Sequence, residues 1–169
     1  FLKKRREKVL QEISLSVPED GRKKILLLGA MGLSFSVGIS ALLTLLPEIS
    51  WLWGNYTSFT STAFYGYDRL LMALTNVLLA PVMEEVVFRG FMIKRLETEL
   101  SVRWAVLIST VFFALCHIYP VWILYAFAMG MVLSWIAVRE NNIFYSVVFH
   151  IGFNLAAFLI SLINISDRW

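Results

Sequence analysis

The run Leu78-Leu79-Ala80-Pro81-Val82-Met83-Glu84-Glu85-Val86-Val87-Phe88-Arg89-Gly90-Phe91-Met92-Ile93 decides how this chain reads. It is apolar throughout except for two adjacent glutamates and one arginine. A charged side chain at the centre of a bilayer costs about 2.5–3.5 kcal/mol on insertion scales. Carrying that cost twice in succession requires a compensating partner or a task.

The surrounding composition supports a membrane setting. Of the 169 residues, 59% are hydrophobic, and the mean hydropathy is +0.71. Soluble domains are usually about 45–50% apolar. The expected fold class is therefore all-α: a multipass transmembrane helical bundle with about five spans, preceded by an amphipathic segment. The expected organisation is a basic amphipathic cytoplasmic segment over 1–24 and a helical bundle over 25–169. A single cysteine, Cys116, excludes an intrachain disulfide. The chain begins at Phe1, which reads as a fragment or a trimmed chain.

Charge is unevenly placed. Eight of the Lys and Arg residues lie in residues 1–24. Phe1, Leu2, Val9, Leu10, Ile13 and Leu15 interleave with them, which favours a membrane-surface helix over nucleic-acid binding. No small-residue cleavage site follows, so the segment is not read as a signal peptide. Ser16 to Gly21 breaks it.

Five apolar runs follow: Ile25 to Leu46, Leu70 to Ile93, Trp104 to Ile118, Val121 to Val138 and Ile143 to Ile163. Ala30, Ser34 and Gly38 mark one small-residue stripe, and Ala126, Gly130 and Ser134 another; both suit close helix packing. Pro47 to Asp68 is a polar, aromatic loop with Trp51, Trp53, Tyr56, Tyr65 and Tyr67, as in an interfacial belt. With the N-terminus inside, twelve Lys and Arg fall on the inner side and two on the outer. The N-terminus is therefore expected in the cytoplasm. At 1.5 Å rise per residue, Glu84 lies roughly 15 Å from Lys94 and His150 roughly 11 Å from Asn142, with His117 roughly 21 Å from Arg103. With helix tilt, the three can share one cavity.

Helix geometry separates the two glutamates, since neighbours point about 100° apart. Glu85 and Arg89 are four apart with the acid first, the better orientation for an ion pair. Glu85–Arg89 is thus expected as a supporting pair, each burying the other's charge. Glu84 is left without a local partner and suits a general base. Pro81 removes a helix hydrogen bond and is expected to free the carbonyl of Val77. His150 and Asn154 are also four apart and share a helix face; together they can donate two hydrogen bonds to one oxygen, as an oxyanion hole requires. Gly152 between them permits a close approach by a helix or a substrate. His117 ends the run Phe113-Ala114-Leu115-Cys116-His117.

Taken singly, these residues have plainer readings. His117, Asn154 and Asn76 each suit interhelical hydrogen bonding. Cys116 reads as a small buried residue rather than a nucleophile. Ser146 is placed to bond His150, but lacks the glycine context of a serine protease. The co-occurrence of two Glu, one Arg, two His and one Asn in apolar runs is what the plain readings explain poorly.

The three motifs, Glu84-Glu85-x-x-x-Arg89, Phe113-x-x-x-His117 and His150-x-x-x-Asn154, resemble those of the CAAX-protease and bacteriocin-processing (CPBP, or Abi) family of intramembrane proteases. That family includes the type II CAAX prenyl endopeptidases. The similarity spans about Leu70 to Ile163. It implies hydrolysis of a peptide bond within the membrane, with Glu84 and His117 activating a water and His150 with Asn154 stabilising the oxyanion. Glu85 and Arg89 would support the site. The implied partners are the lipid bilayer and a membrane-associated protein or peptide, of CAAX or of bacteriocin and leader-peptide type, with no nucleic acid. A bacterial member would sit in the plasma membrane. The family has been described as metallo-; Glu84, His117 and His150 would be the ligands of zinc or another divalent metal. His-Glu-x-x-His is absent, and a glutamate-type site with no required cofactor is the preferred reading. The alternatives are a non-catalytic scaffold or bacteriocin-immunity protein of the same fold, and a proton-coupled transporter using the same carboxylates.

Overall fold

A computed structural model describes residues 13–18, 21–44, 69–117 and 120–166. The described residues form five helices and no strand. We label them α1 (Arg22–Thr44), α2 (residues 69–96), α3 (Val102–Leu115), α4 (Pro120–Glu140) and α5 (Ile143–Ser166). They match the five apolar runs in order. The expected basic helix over 1–24 falls largely on residues outside this set, and the aromatic loop from Pro47 to Asp68 falls outside it.

Three stretches are long and apolar enough to cross a membrane: Arg22–Leu42, Trp122–Glu140 and Ile143–Ile160. Val102–Leu115 is apolar but shorter. Leu26, Leu27, Leu124 and Trp135 are well exposed on these helices. In water such faces would be a liability; they suit contact with lipid.

The helix ends are set by local chemistry. Asn141 takes a positive φ of 45°, which asparagine tolerates because its short side chain bonds locally. The Asn142 N–H donates to the Ala137 carbonyl and the Asn141 N–H to that of Val138, both at 3.2 Å. This is a Schellman close of α4. Asn142 then caps α5, its Oδ1 accepting from the Phe144 N–H at 3.0 Å. The same side chain donates to the Ser16 carbonyl and hydroxyl, both at 2.9 Å. Ile13 is buried against Ala137 and Ile143. Residues 13–18 are thereby fastened beneath the α4–α5 hairpin. Lys24 pairs with Glu140, and Lys94 donates to Asn141 at 3.2 Å. The start of α1, the end of α2 and the α4–α5 turn thus share one basic end of the bundle.

The closest helix contact is between α1 and α5, and it differs from the expected stripe. A Cβ at Gly32 would lie 2.1 Å from the Phe149 carbonyl oxygen, and one at Gly152 would lie 2.3 Å from that of Gly29. Gly38 meets nothing within 4 Å, and Ser34 bonds the Ala30 carbonyl of its own helix at 2.9 Å. The seam therefore runs along Gly29, which faces Gly152, and Gly32, which faces the backbone of Phe149 and Phe153. Gly32→Val is expected to force the helices apart and lower the thermal midpoint in detergent, at a cost of about 1–3 kcal/mol or more for overpacking. Gly38→Ala should leave the midpoint unchanged or raise it; equal behaviour of the two variants would disprove this seam.

Candidate active site

α2 supplies the glutamates, and it is not a regular α-helix. It widens to π-helix over Ala73–Leu79 and again over Val86–Ile93, with an α segment, Ala80–Glu85, between. Such i→i+5 turns are rare and occur frequently at functional sites. Pro81 explains where the first one stops. The next bond of that series would run from residue 81 to the Asn76 carbonyl, and proline has no N–H. The vacated acceptor is taken across the helix gap: Asn154 Nδ2 donates to the Asn76 carbonyl at 2.8 Å. Sequence spacing assigned the freed carbonyl to Val77, as an α register would. In the wide register Pro81 also stands opposite the Asn76 carbonyl, one residue back.

Glu85 and Arg89 lie at the centre of the bundle with their side chains fully buried, Arg89 Nη1 donating to Glu85 Oε1 at 3.0 Å. Arg89 Nη2 donates to the Gly130 carbonyl at 3.0 Å, and Nε to Ser134 Oγ at 3.3 Å. The guanidinium also stands over the Phe113 ring, 4.3 Å from its centroid. One side chain thus ties α2 to α3 and α4. The stripe on α4 explains the fit: a Cβ at Gly130 would lie 3.2 Å from Arg89 Nη2 and 2.9 Å from Thr110.

His150 joins the two glutamates. Its Nδ1 lies 3.0 Å from Glu85 Oε1, and its Nε2 lies 3.7 Å from Glu84 Oε2. Glu85, held by Arg89, is acceptor-only when ionised, so the Nδ1 contact is an N–H donated to it. A carboxylate behind Nδ1 fixes the ring's orientation and turns Nε2 toward the site. Glu84 is the accessible partner of the pair, its side chain 34% exposed against none for Glu85.

His117 sits in the turn after α3. Its Nδ1 is 3.0 Å from the Phe113 carbonyl. Its ring packs edge-on to Phe113 at 5.0 Å, and His150 does the same at 6.1 Å. Phe113 therefore separates and orients both imidazoles. Glu84 is within electrostatic reach of both. Cys116 is exposed rather than buried. Ser146 donates to the Ile143 carbonyl of its own helix at 2.9 Å rather than to His150.

Arg89, His117 and His150 thus gather around Phe113, with Glu85 against Arg89 and His150, and Glu84 near His150. Asn154 stands one turn along α5 from His150, with one of its two N–H donors spent on Asn76. Four contacts were invisible in the sequence: His150 to Glu85, Arg89 to Gly130 and to Ser134, and Asn154 to the Asn76 carbonyl. The small-residue stripe on α4 was the one available hint. Among the described residues, no three His, Cys, Asp or Glu side chains gather closely enough to hold a metal ion. Both nitrogens of His150 face glutamates. Glu84, His117 and His150 therefore do not fit a three-ligand centre as arranged.

The helical bundle thus carries a buried glutamate–arginine pair, a second, accessible glutamate and two histidines. The sequence profile of the type II CAAX prenyl endopeptidase Rce1-like family matches residues 66–156, and the chain belongs to that family. No curated relative and no solved structure matches it. Family membership and the apolar helices make this an integral membrane protein of an intramembrane CAAX-type endopeptidase family.

Proposed function

We propose that this protein cuts a peptide bond in a membrane-associated protein or peptide, with Glu84 as the base. The observation that carries the reading is the division between the glutamates. Glu85 is spent on Arg89 and His150, while Glu84 is accessible and 3.7 Å from His150 Nε2.

In this mechanism Glu84, assisted by His117, takes a proton from water. The hydroxide adds to the scissile carbonyl carbon and the carbonyl electron pair moves onto oxygen. His150, doubly protonated with its Nδ1–H held by Glu85, donates a hydrogen bond from Nε2–H to that oxygen, and Asn154 offers its second N–H. The tetrahedral species collapses, the carbon–nitrogen bond breaks, and Glu84 returns its proton to the leaving amine. Arg89 keeps Glu85 ionised and in place. The substrate class is a CAAX-type or leader-peptide-type segment lying at the bilayer. The basic end, with Lys24, Lys94 and Arg139, faces the cytoplasm, as the distribution of Lys and Arg favours.

The mechanism uses no metal. Purified active protein treated with a strong chelator should keep its cleavage rate. Stoichiometric zinc whose removal abolishes cleavage, and whose return restores it, would overturn this part.

A further inference from the structure

We propose that Pro81 is a positioning residue for Asn154, a role that rests on the reading of Asn154 as an oxyanion donor given above. Two facts meet at one carbonyl. The i→i+5 run of α2 ends at Leu79, where its next donor would be the missing N–H of Pro81. The carbonyl that this leaves open, on Asn76, is the one that Asn154 Nδ2 bonds at 2.8 Å. An unpaired carbonyl within a membrane is expensive, so the vacancy holds the amide firmly.

The consequence for Asn154 is orientational. An asparagine amide can flip its oxygen and nitrogen with little change in shape. A carbonyl at 2.8 Å accepts only from the nitrogen end, so it fixes which end of the amide faces which way. With one N–H on Asn76, the other is committed to a single direction. The amide sits one turn from His150, whose Nε2 faces Glu84. Pro81 itself is buried and lies three residues before Glu84. The same residue thereby ends the wide turn, starts the α segment that presents Glu84, and opens the acceptor that sets Asn154.

Replacing Pro81 by alanine returns an N–H to position 81. The wide turn can then continue through Asn76 and draw its carbonyl along the helix axis, away from α5. Asn154 would lose its anchor without any catalytic side chain having been replaced.

The test pairs a spectroscopic readout with a kinetic cycle on the full chain in detergent. Protein carrying ¹⁵N-labelled asparagine is compared as wild type, Pro81→Ala, Asn154→Ala and the double variant, with the Asn154 amide resonance assigned by its loss in Asn154→Ala. Pro81→Ala should shift the hydrogen-bonded amide proton of Asn154. With a farnesylated CAAX peptide as probe, Pro81→Ala should lower kcat with KM little changed. The fall should reach at most the roughly 100- to 1,000-fold typical of losing one oxyanion donor. The double variant should be no slower than Asn154→Ala alone, because coupled residues are non-additive. Pro81→Gly, which returns the N–H without a methyl group, should behave as Pro81→Ala and guards against a folding defect in either. An unmoved Asn154 resonance in both variants, or a Pro81→Ala loss that adds in full to that of Asn154→Ala, overturns the proposal. A shifted resonance in a protein whose wild type cuts no peptide leaves the positioning intact and refutes the protease reading instead.

Discussion

Glu84→Gln is expected to abolish cleavage of a membrane peptide while leaving the helical bundle intact. The carboxylate to amide change keeps the size and one oxygen but removes the proton acceptor. General-base catalysis contributes on the order of 100- to 10,000-fold, and loss of that whole factor is the expected result. Stability should hardly move, because Glu84 makes no contact as short as those of Glu85: its nearest partner is His150 at 3.7 Å, against 3.0 Å for both partners of Glu85. Parallel measurements of peptide cleavage and of thermal unfolding in detergent check this. Cleavage that survives the substitution would remove Glu84 from the base role, and a collapse in stability would show it to be part of the frame.

Arg89→Met should have the largest effect on stability. Arg89 is fully buried and donates to Glu85, Gly130 and Ser134 on α2 and α4 while stacking on Phe113 of α3. Removing one partner of a buried ion pair costs about 3–5 kcal/mol, because the other charge is left uncompensated. The Glu85→Leu, Arg89→Met double variant removes both charges and should recover much of that loss. Its activity should stay low, since His150 would have lost the carboxylate that orients Nδ1. Thermal unfolding of the three proteins separates these effects. If Arg89→Met melts like the wild type, the pair does not hold the helices together.

The parts legible in the sequence are those that depend on spacing within one element. The five apolar runs became five helices, and the four-residue interval between Glu85 and Arg89 was enough to expect their contact, because neighbouring turns of one helix bring such residues together. Relations between helices were harder. Nothing in the spacing of His150 says that its Nδ1 meets Glu85 while its Nε2 faces Glu84; that depends on how α5 crosses α2. The seam of α1 was misassigned to Ala30, Ser34 and Gly38 because small residues repeat on more than one face, and only the packing partner selects Gly29 and Gly32. The bond from Asn154 to the Asn76 carbonyl was out of reach because the sequence does not reveal that α2 widens there. The sequence shows that Pro81 removes a hydrogen bond, but the register around it belongs to the folded helix.

The most direct test is a mass-spectrometric comparison of peptide termini in membranes bearing the wild-type protein, Glu84→Gln or neither. The expected result is a set of new termini, from membrane-associated proteins or peptides, in the wild-type sample alone. The same termini in the Glu84→Gln sample, or no new termini together with a proton flux through the wild-type protein, would contradict it.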